Sequence, residues 1–458
     1  METDPTADWQ YIAEGAANLI LAYNPQGKRT EALNGKCLRL SKRTQGTTTT
    51  HNEISSYRFH SQVLSQIIHQ ELLLTFQPVS LNQEWLKELA NHFQATRPAS
   101  KRCLSQIDPT ATHAIIMDNL ACQPDGDNQQ MLSIEIKPKW ASFPCAPNRL
   151  DPALREIKTQ FCRTCVFRAV RSLGPSSSAT HHDPQSEKPQ EACQALNPYY
   201  TSPNRFCALQ LFNTAHPAHL RRALAHLFAE WQYAPASHPP ATSDPALGPK
   251  DDTTVKPTLA HNNLKIFCQG ILIDPSSVQV DPEMIEALAV ALERSGVLVR
   301  LAELQRRLDP LDIEGVFEEL GDWAEAEVEE PASLEELVAV LPLLSEQVTP
   351  AGFADSFRRL SGRTKAVLYA LSMSFKDCSI FVRIPRRPQL PTSRLSPAPL
   401  PHNSSVKLID LDFKPLARLH KYLRTNRHTF LQFKNLLLSS PDSPHTPCVQ
   451  LATSLPLD

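Results

Sequence analysis

The run Ile134–Trp140 reads Ile-Glu-Ile-Lys-Pro-Lys-Trp. Side chains alternate along a strand, so Glu135, Lys137 and Lys139 would share one face. Two ammonium groups beside a carboxylate suit a compact, highly anionic ligand. A charged edge strand that discourages aggregation would use the same residues. Pro138 cannot donate to a ladder, which marks the end of an extended run. Further on, Asp410 and Asp412 lie two apart in the strand-like Val406–Leu416, where paired carboxylates can hold a hard cation through oxygen. A helix opening near Pro415 would carry Lys414, Arg418 and Tyr422 at i, i+4 and i+8 toward one side, and Arg163, Phe167 and Arg171 repeat that spacing in a basic helix predicted over Leu154–Arg171. Asp377 stands in a Lys-Asp-Cys-Ser turn before an apolar strand, and Asn262-Asn263-Leu264-Lys265 enters another; Asp and Asn are ordinary turn formers in such places. Cys162 and Cys165 raise a zinc site, with His181, His182 and Cys193 downstream. No second tidy pair completes the ligand set, so zinc is not the favoured reading.

The elements that must position these residues can be followed along the chain. Two β-like runs in Trp9–Tyr23 flank the small-residue turn Glu14-Gly15-Ala16-Ala17-Asn18. Such a turn lets backbone N–H groups approach phosphates, and an ordinary hairpin looks the same. A strand follows through Gly35–Leu40 and includes Arg39. Phe59, Val63 and Ile67, then Leu86, Leu89 and Phe93, form apolar helical stripes. His113–Asn119 reads as a buried strand ending in a polar turn, and with Met131–Lys139 it suggests a hairpin-like pair. Helices are predicted over Pro217–Trp231 and Phe353–Ser372. Between 281 and 348 lie amphipathic helices, with Gly296 a stop and Ser333-x-x-Glu336 a capping-box start. The acids of Glu314–Glu330 read as a solvated helical insert, a possible protein-contact surface.

At 458 residues and 41% apolar, the chain can bury real cores, and a net charge of -2 gives no global field toward nucleic acid or an anionic membrane. Any anion site must come from local clustering. Eleven scattered cysteines without a framework spacing predict an intracellular, reduced chain. No stretch approaches the roughly 20 apolar residues that span a bilayer.

Glu135-x-Lys137-Pro138-Lys139 resembles the signature of the inositol-pentakisphosphate 2-kinases, in their divergent fungal form. Glu14–Leu19 with Gly35–Leu40, His113–Asn119, Lys376–Phe381 and Val406–Leu416 are similar to further segments of that family. The resemblance implies an α+β, two-lobed inositol phosphate kinase fold with antiparallel sheets, helices and disordered inserts. Residues 1–125 would be a nucleotide-binding lobe ending in a hinge, and 126–458 an inositol phosphate-binding lobe. Flexible segments would fall near 174–190, 234–258 and 385–404. ATP would meet Glu14, Gly15, Ala16, Ala17, Asn18, Arg39, the hinge residues Met117, Asp118 and Asn119, and Glu135, Asn263 and Lys265. Inositol pentakisphosphate would meet Arg102, Lys137, Lys139, Arg163, Arg171, Asn262, Lys414, Arg418 and Tyr422. Asp377 would take the proton of the substrate 2-hydroxyl, and Asp410 would hold Mg2+. The family's histidine, acid and arginine are replaced by Phe167, Gln210 and Lys265. Lys265 keeps the charge and loses the bidentate fork. These departures leave open a non-catalytic inositol phosphate-binding scaffold. A kinase of other positional specificity is a further alternative, although the Pro-x-x-x-Asp-x-Lys-x-Gly element of the multikinase group is missing. The plant zinc site, in a later insert, is not reproduced. A monomer in the nucleus, and also in the cytoplasm, that needs neither nucleic acid nor membrane completes what the resemblance implies.

Overall fold

Leu19, Leu21, Leu38 and Leu40 alternate with less buried neighbours and are fully buried. That period of two belongs to strands with one face on a core. They lie in β2 (Asn18–Tyr23) and β3 (Lys36–Thr44) of a six-stranded antiparallel sheet. Its order is β1 (Trp9–Glu14), β2, β3, β6 (His113–Asp118) and β4 (Gln77–Ser80), with β5 (Ser105–Ile107) pairing the far end of β3. The structure, a computed structural model, describes residues 3–453 apart from 16, 26–29, 45–52, 123–130, 173–197, 234–262, 279, 322–327, 346, 387–404 and 440–444. The three segments expected to be flexible fall almost wholly outside the described residues. Among helices, α1 (Glu53–Phe59) runs on through an i→i+5 bonded stretch, His60–Leu64. Helix α2 (Gln83–Thr96) lays Leu86, Leu89 and Phe93 on the sheet, capped by the Asn82 side chain accepting from the Glu84 and Trp85 N–H groups.

A second, five-stranded antiparallel sheet runs β11 (Ser405–Ile409), β10 (Ser379–Pro385), β7 (Met131–Ile136), β8 (Leu264–Cys268), β9 (Ile271–Leu272). All six residues of β7 are buried. The strand is therefore central, not the charged edge that its lysines suggested: they lie beyond its end, where Pro138 stops the ladder. Strands β6 and β7 also form no hairpin. They belong to different sheets, and the chain passes from one to the other after Asn119. Apolar pattern identified both strands; their partners were set by burial on both faces.

The helix expected over Leu154–Arg171 is two, α3 (Arg155–Gln160) and α4 (Arg163–Arg171), because Cys162 takes extended backbone and caps α4 with its sulfur. Helices α5 (Ala208–Leu211) and α6 (Pro217–Tyr233) follow. The stretch after 281 folds as α7 (Pro282–Ser295), stopped by Gly296 at φ 64°, then α8 (Val297–Leu308), α9 (Asp312–Leu320) and α10 (Leu334–Ala339), the last with the expected capping box. Far from being merely solvated, these helices pack into the large core around the second sheet. Their acids answer buried lysines: Glu314 bonds Lys158 at 2.7 Å, Glu319 bonds Lys365 at 2.7 Å, and Asp309 bonds Lys376. The helix expected over Phe353–Ser372 is likewise two, α11 (Pro350–Arg358) and α12 (Gly362–Asp377), since the Ser361 side chain starts a new N-terminus by accepting from Thr364 N–H. Pro415 precedes a short turn, so the last long helix, α13 (Leu419–Leu438), begins later than expected and leaves Lys414 outside it. The chain closes with α14 (Cys448–Thr453). Among the described residues no helix is long and apolar enough to cross a membrane.

Helix α12 starts hard against the end of α9: a Cβ on Gly362 would stand 2.7 Å from the Glu319 carbonyl oxygen. Gly362→Ala should therefore destabilise the fold by about 1–3 kcal/mol, the usual cost of overpacking. A denaturant melt checks this, and an unshifted midpoint would contradict the close approach.

Candidate functional site

A cleft of about 950 Å³ opens between the two sheets. The six-stranded sheet contributes Gly15, Ala17 and Asn18 from the β1–β2 turn, Arg39 from β3, and Met117, Asp118 and Asn119 from the end of β6. The five-stranded sheet and its flanks contribute Glu135, Lys137, Lys265, Asp377, Asp410, Asp412, Lys414 and Arg418. At the passage between sheets, Asn119 Oδ1 accepts from the Ala121 and Cys122 N–H groups, and Arg383 donates to the Asn119 carbonyl at 2.7 Å. This ties down the turn expected to be the hinge.

Cations and acids alternate across the cleft. Arg39 reaches from one sheet to Asp412 beside the other, 2.7 Å away. Lys137 lies 3.3 Å from Asp410, while Asp377 takes Lys139 at 3.3 Å and Lys414 at 3.6 Å. Glu135, deep in β7, accepts from Lys265 at 3.0 Å and Ser379 at 2.8 Å. Burial would raise the Asp377 carboxyl, but Lys139, Lys414 and Lys137 outweigh it and hold it below the usual carboxylate range. Glu135 is held low in the same way, by Lys265 and Lys137 against burial. The two signature lysines part company. Burial depresses Lys139, whereas Asp410 and Glu135 overcome burial at Lys137 and raise it.

The backbone is strained where the charges converge. Lys139 and Asp410 have φ of 64° and 59°, a region costly for non-glycine residues and frequent at functional sites. Gln305 of α8 holds the first of these in place. Its amide donates to the Lys139 and Phe375 carbonyls, each at 3.0 Å, and its Oε1 accepts from Ala141 N–H at 2.9 Å. Lys139 and the end of α12, which carries Asp377, are thus fixed to one side chain.

Beside the cleft, the Arg163 guanidinium lies between the rings of Trp140, 4.7 Å away, and Phe167, 4.1 Å away, and bonds Asn426. Arg171 also reaches over Phe167, at 5.7 Å. Phe167, a departure in the resemblance, thus has both arginines over its ring. Gln210, another departure, is fully buried and donates to the Leu451 carbonyl, a structural task. Tyr422 lies on α13 near Arg418; burial pushes its phenol up, and Arg418 partly offsets this.

Not every expected residue joins this array. Arg102 is exposed at the end of the short helical turn Ala99–Arg102 and does not line the cleft. The Glu14 carboxylate, 1% exposed, turns away from the cleft to bond Lys42 and Arg97, each at 2.6 Å. It anchors the turn rather than facing a ligand. Asn263 is buried, its carbonyl accepting from Lys137 N–H at 2.9 Å. Ala16 and Asn262 lie outside the described residues. Lys42 and Gln305 were not anticipated from sequence, and Arg97 and Ser379 were given no such role; the polar residues within otherwise apolar runs were the available signal. Sequence reasoning also missed Cys207 and Cys448, which meet Cys162 and Cys165 in space. The downstream His181, His182 and Cys193 lie outside the described residues.

Paired cations and carboxylates line a cleft that also includes a small-residue turn, an arrangement that suits phosphorylated ligands. The chain belongs to the inositol-pentakisphosphate 2-kinase family, whose family model matches residues 11–428 of the 458. It is 25% identical over 449 residues to an inositol-pentakisphosphate 2-kinase of Cryptococcus neoformans var. neoformans, covering 93% of this chain and 92% of the relative. An Arabidopsis thaliana inositol-pentakisphosphate 2-kinase is 22% identical over 467 residues, with 93% of each chain covered.

The Glu14 cluster generates a stability prediction. Burial favours the neutral acid, yet the bonds from Arg97 and Lys42 leave its carboxyl below the ordinary value. A depressed folded value gives stability that is present above about pH 4.3, the unfolded value, and lost as pH falls through the folded one. Glu14→Gln should cost about 3–5 kcal/mol by stranding two buried cations. It should also flatten the acid limb of stability against pH; melts across that range test both effects.

Proposed function

We infer that the chain is an ATP-dependent kinase that phosphorylates the 2-hydroxyl of inositol 1,3,4,5,6-pentakisphosphate to give the hexakisphosphate. Family membership supports the activity, and one observation carries the assignment of roles. Asp377 stands between Lys139 and Lys414 in a cleft that both sheets build. On this reading the two sheets are the cores of the two lobes of an inositol phosphate kinase. Monomeric action and nuclear residence belong to the same reading, on the likeness to the family alone.

Lys137, Lys139, Lys414 and Arg418 meet substrate phosphates, joined by Arg163 and Arg171 on α4 and by Tyr422. Each charge-assisted bond contributes on the order of 1.5–3 kcal/mol. Together they fix the single free hydroxyl beside Asp377. Because its lysine neighbours hold Asp377 ionised and weakly basic, it orients the hydroxyl and accepts its proton late. Little more is needed in phosphoryl transfer, where positioning and charge neutralisation dominate. Arg39, Lys265 and the β1–β2 turn face the nucleotide phosphates, and the Met117–Asn119 turn its base. Asp410 and Asp412 supply carboxylate oxygens at the cleft, their side chains 58% and 30% exposed, a donor set that fits magnesium. Magnesium held there would neutralise phosphate charge.

The test is transfer of labelled γ-phosphate from ATP to inositol pentakisphosphate, compared with tris- and tetrakisphosphate acceptors. Preference for the pentakisphosphate is expected, and no transfer to it would refute the reading. Asp377→Ala should lower kcat by about 10²–10⁴-fold, the usual loss with a general base; near-normal turnover in a folded variant would remove Asp377 from the chemistry. Lys139→Ala should mainly raise KM for the inositol phosphate and make it less sensitive to salt. An unchanged KM would dismiss Lys139 as a phosphate ligand.

A further inference from the structure

Four cysteines from three separate stretches of the chain meet at the start of helix α4. The sulfurs of Cys162, Cys165, Cys207 and Cys448 all lie within 4.8 Å of one another, and all four residues are buried. None is in a disulfide; the Cys162 and Cys207 sulfurs are 3.9 Å apart. Four thiolates around one Zn2+, with Zn–S about 2.3 Å, are separated by about 3.8 Å along each edge of the tetrahedron. The cluster is close to that spacing already. Cys162 and Cys165 come as a C-x-x-C pair at the start of α4, Cys207 caps α5, and Cys448 opens α14. Each sulfur therefore comes from a helix start, where the backbone has just turned.

The surroundings fit anionic sulfur. Cys165 N–H donates to the Cys162 sulfur at 3.4 Å. Arg205, fully buried, donates to the Cys448 sulfur at 3.2 Å and the Cys165 sulfur at 3.5 Å. Its other bonds go to the Ser202 and Thr446 carbonyls, at 2.5 and 2.7 Å. A guanidinium is always charged, and burying it is costly without a counter-charge. Neutral thiols offer none, whereas four thiolates on one divalent ion carry a net -2. Outer-shell donors of this kind are characteristic of metal sites.

We propose that these four cysteines hold a structural zinc ion that clamps the C-terminal segment to the helix bearing Arg163 and Arg171. Metal binding displaces the thiol protons to solvent and involves no redox step. All four ligands come from the protein, so the site is closed and structural rather than catalytic. Gln210 and Asn213 bond the Leu451 and Ala452 carbonyls, at 3.1 and 2.8 Å, and seat the same segment from the other side. The proposal does not depend on the kinase reading.

Elemental analysis of the full chain, purified under reducing conditions without chelator, should find one zinc per chain. Zinc-edge absorption should find four sulfurs at about 2.3 Å. Cys448→Ser and Cys207→Ser should each lose the zinc, while Cys145→Ser, at an exposed cysteine outside the cluster, should keep it. If the serine variants fail to fold, mercurial titration of the wild-type chain replaces them: zinc should appear in a chromogenic chelator as the cysteines are modified. A folded wild-type chain without zinc even after zinc is supplied would overturn the proposal. So would an iron-loaded chain, a disulfide among the four, or zinc bound through oxygen or nitrogen.

Discussion

The cleft must keep several cations close together before any polyanion arrives. Two like charges 4 Å apart repel by about 4 kcal/mol at the effective dielectric near a protein surface. Lys139 and Lys414 nonetheless share one carboxylate, and Lys137 and Arg39 each have another. The acids are what allow the basic cluster to exist in the free protein. In the proposed function they also take the roles that phosphoryl transfer asks for, one orienting a hydroxyl and two offering oxygen to a hard cation. A phosphorylated ligand can therefore exchange its own oxygens for carboxylates already in position, so the lysines need not be gathered by binding itself.

That arrangement depends on how β7 ends. A regular strand through Lys139 would aim its side chain in register with Lys137 and Glu135. Instead Pro138 breaks the ladder and Lys139 adopts φ 64°, turning its ammonium toward Asp377. Backbone in this region costs on the order of 1–3 kcal/mol. The bonds of Gln305 to the Lys139 carbonyl and the Ala141 N–H hold the kink, and its bond to the Phe375 carbonyl ties it to α12, offsetting that cost. Since Gln305 belongs to α8, the helical stretch that looked like an appended surface is part of what sets the distance between Lys139 and Asp377.

How much of this could be read from the chain follows from what each signal reports. Period-two and helical patterns report burial, so β2, β3, β6 and β7 and the stripes of α1 and α2 were legible. So were local devices, such as the Gly296 stop and the Ser333 capping box, which rest on residues a few positions apart. Partnership was not legible, because pattern says which face is buried and not against what. Hence β7 read as an edge and β6 as its hairpin partner. Glu14 is the same case: a carboxylate beside a glycine turn looks like part of a phosphate loop, and only the fold brings Lys42 and Arg97 to it. The C-x-x-C pair was visible, but its completion by Cys207 and Cys448 spans the chain from 162 to 448, beyond any spacing rule.

The acidic stretch was illegible for the same reason. An acidic run near a phosphate site looks self-defeating if both face the same solvent. Here they form layers. Lys376 points away from the cleft, over the Trp140 ring at 4.0 Å, and bonds Asp309, while its neighbour Asp377 points into the cleft. Burial works against both charges of the inner pair, raising the acid and lowering the lysine, and each partner opposes that shift in the other. Lys158 with Glu314, and Lys365 with Glu319, repeat the pattern behind it. Among the described residues, Asp309, Asp312, Glu314 and Glu319 of this stretch are thus matched by buried lysines. These acids pair with lysines of the core, while the cations of the cleft are balanced by its own carboxylates, Glu135, Asp377, Asp410 and Asp412.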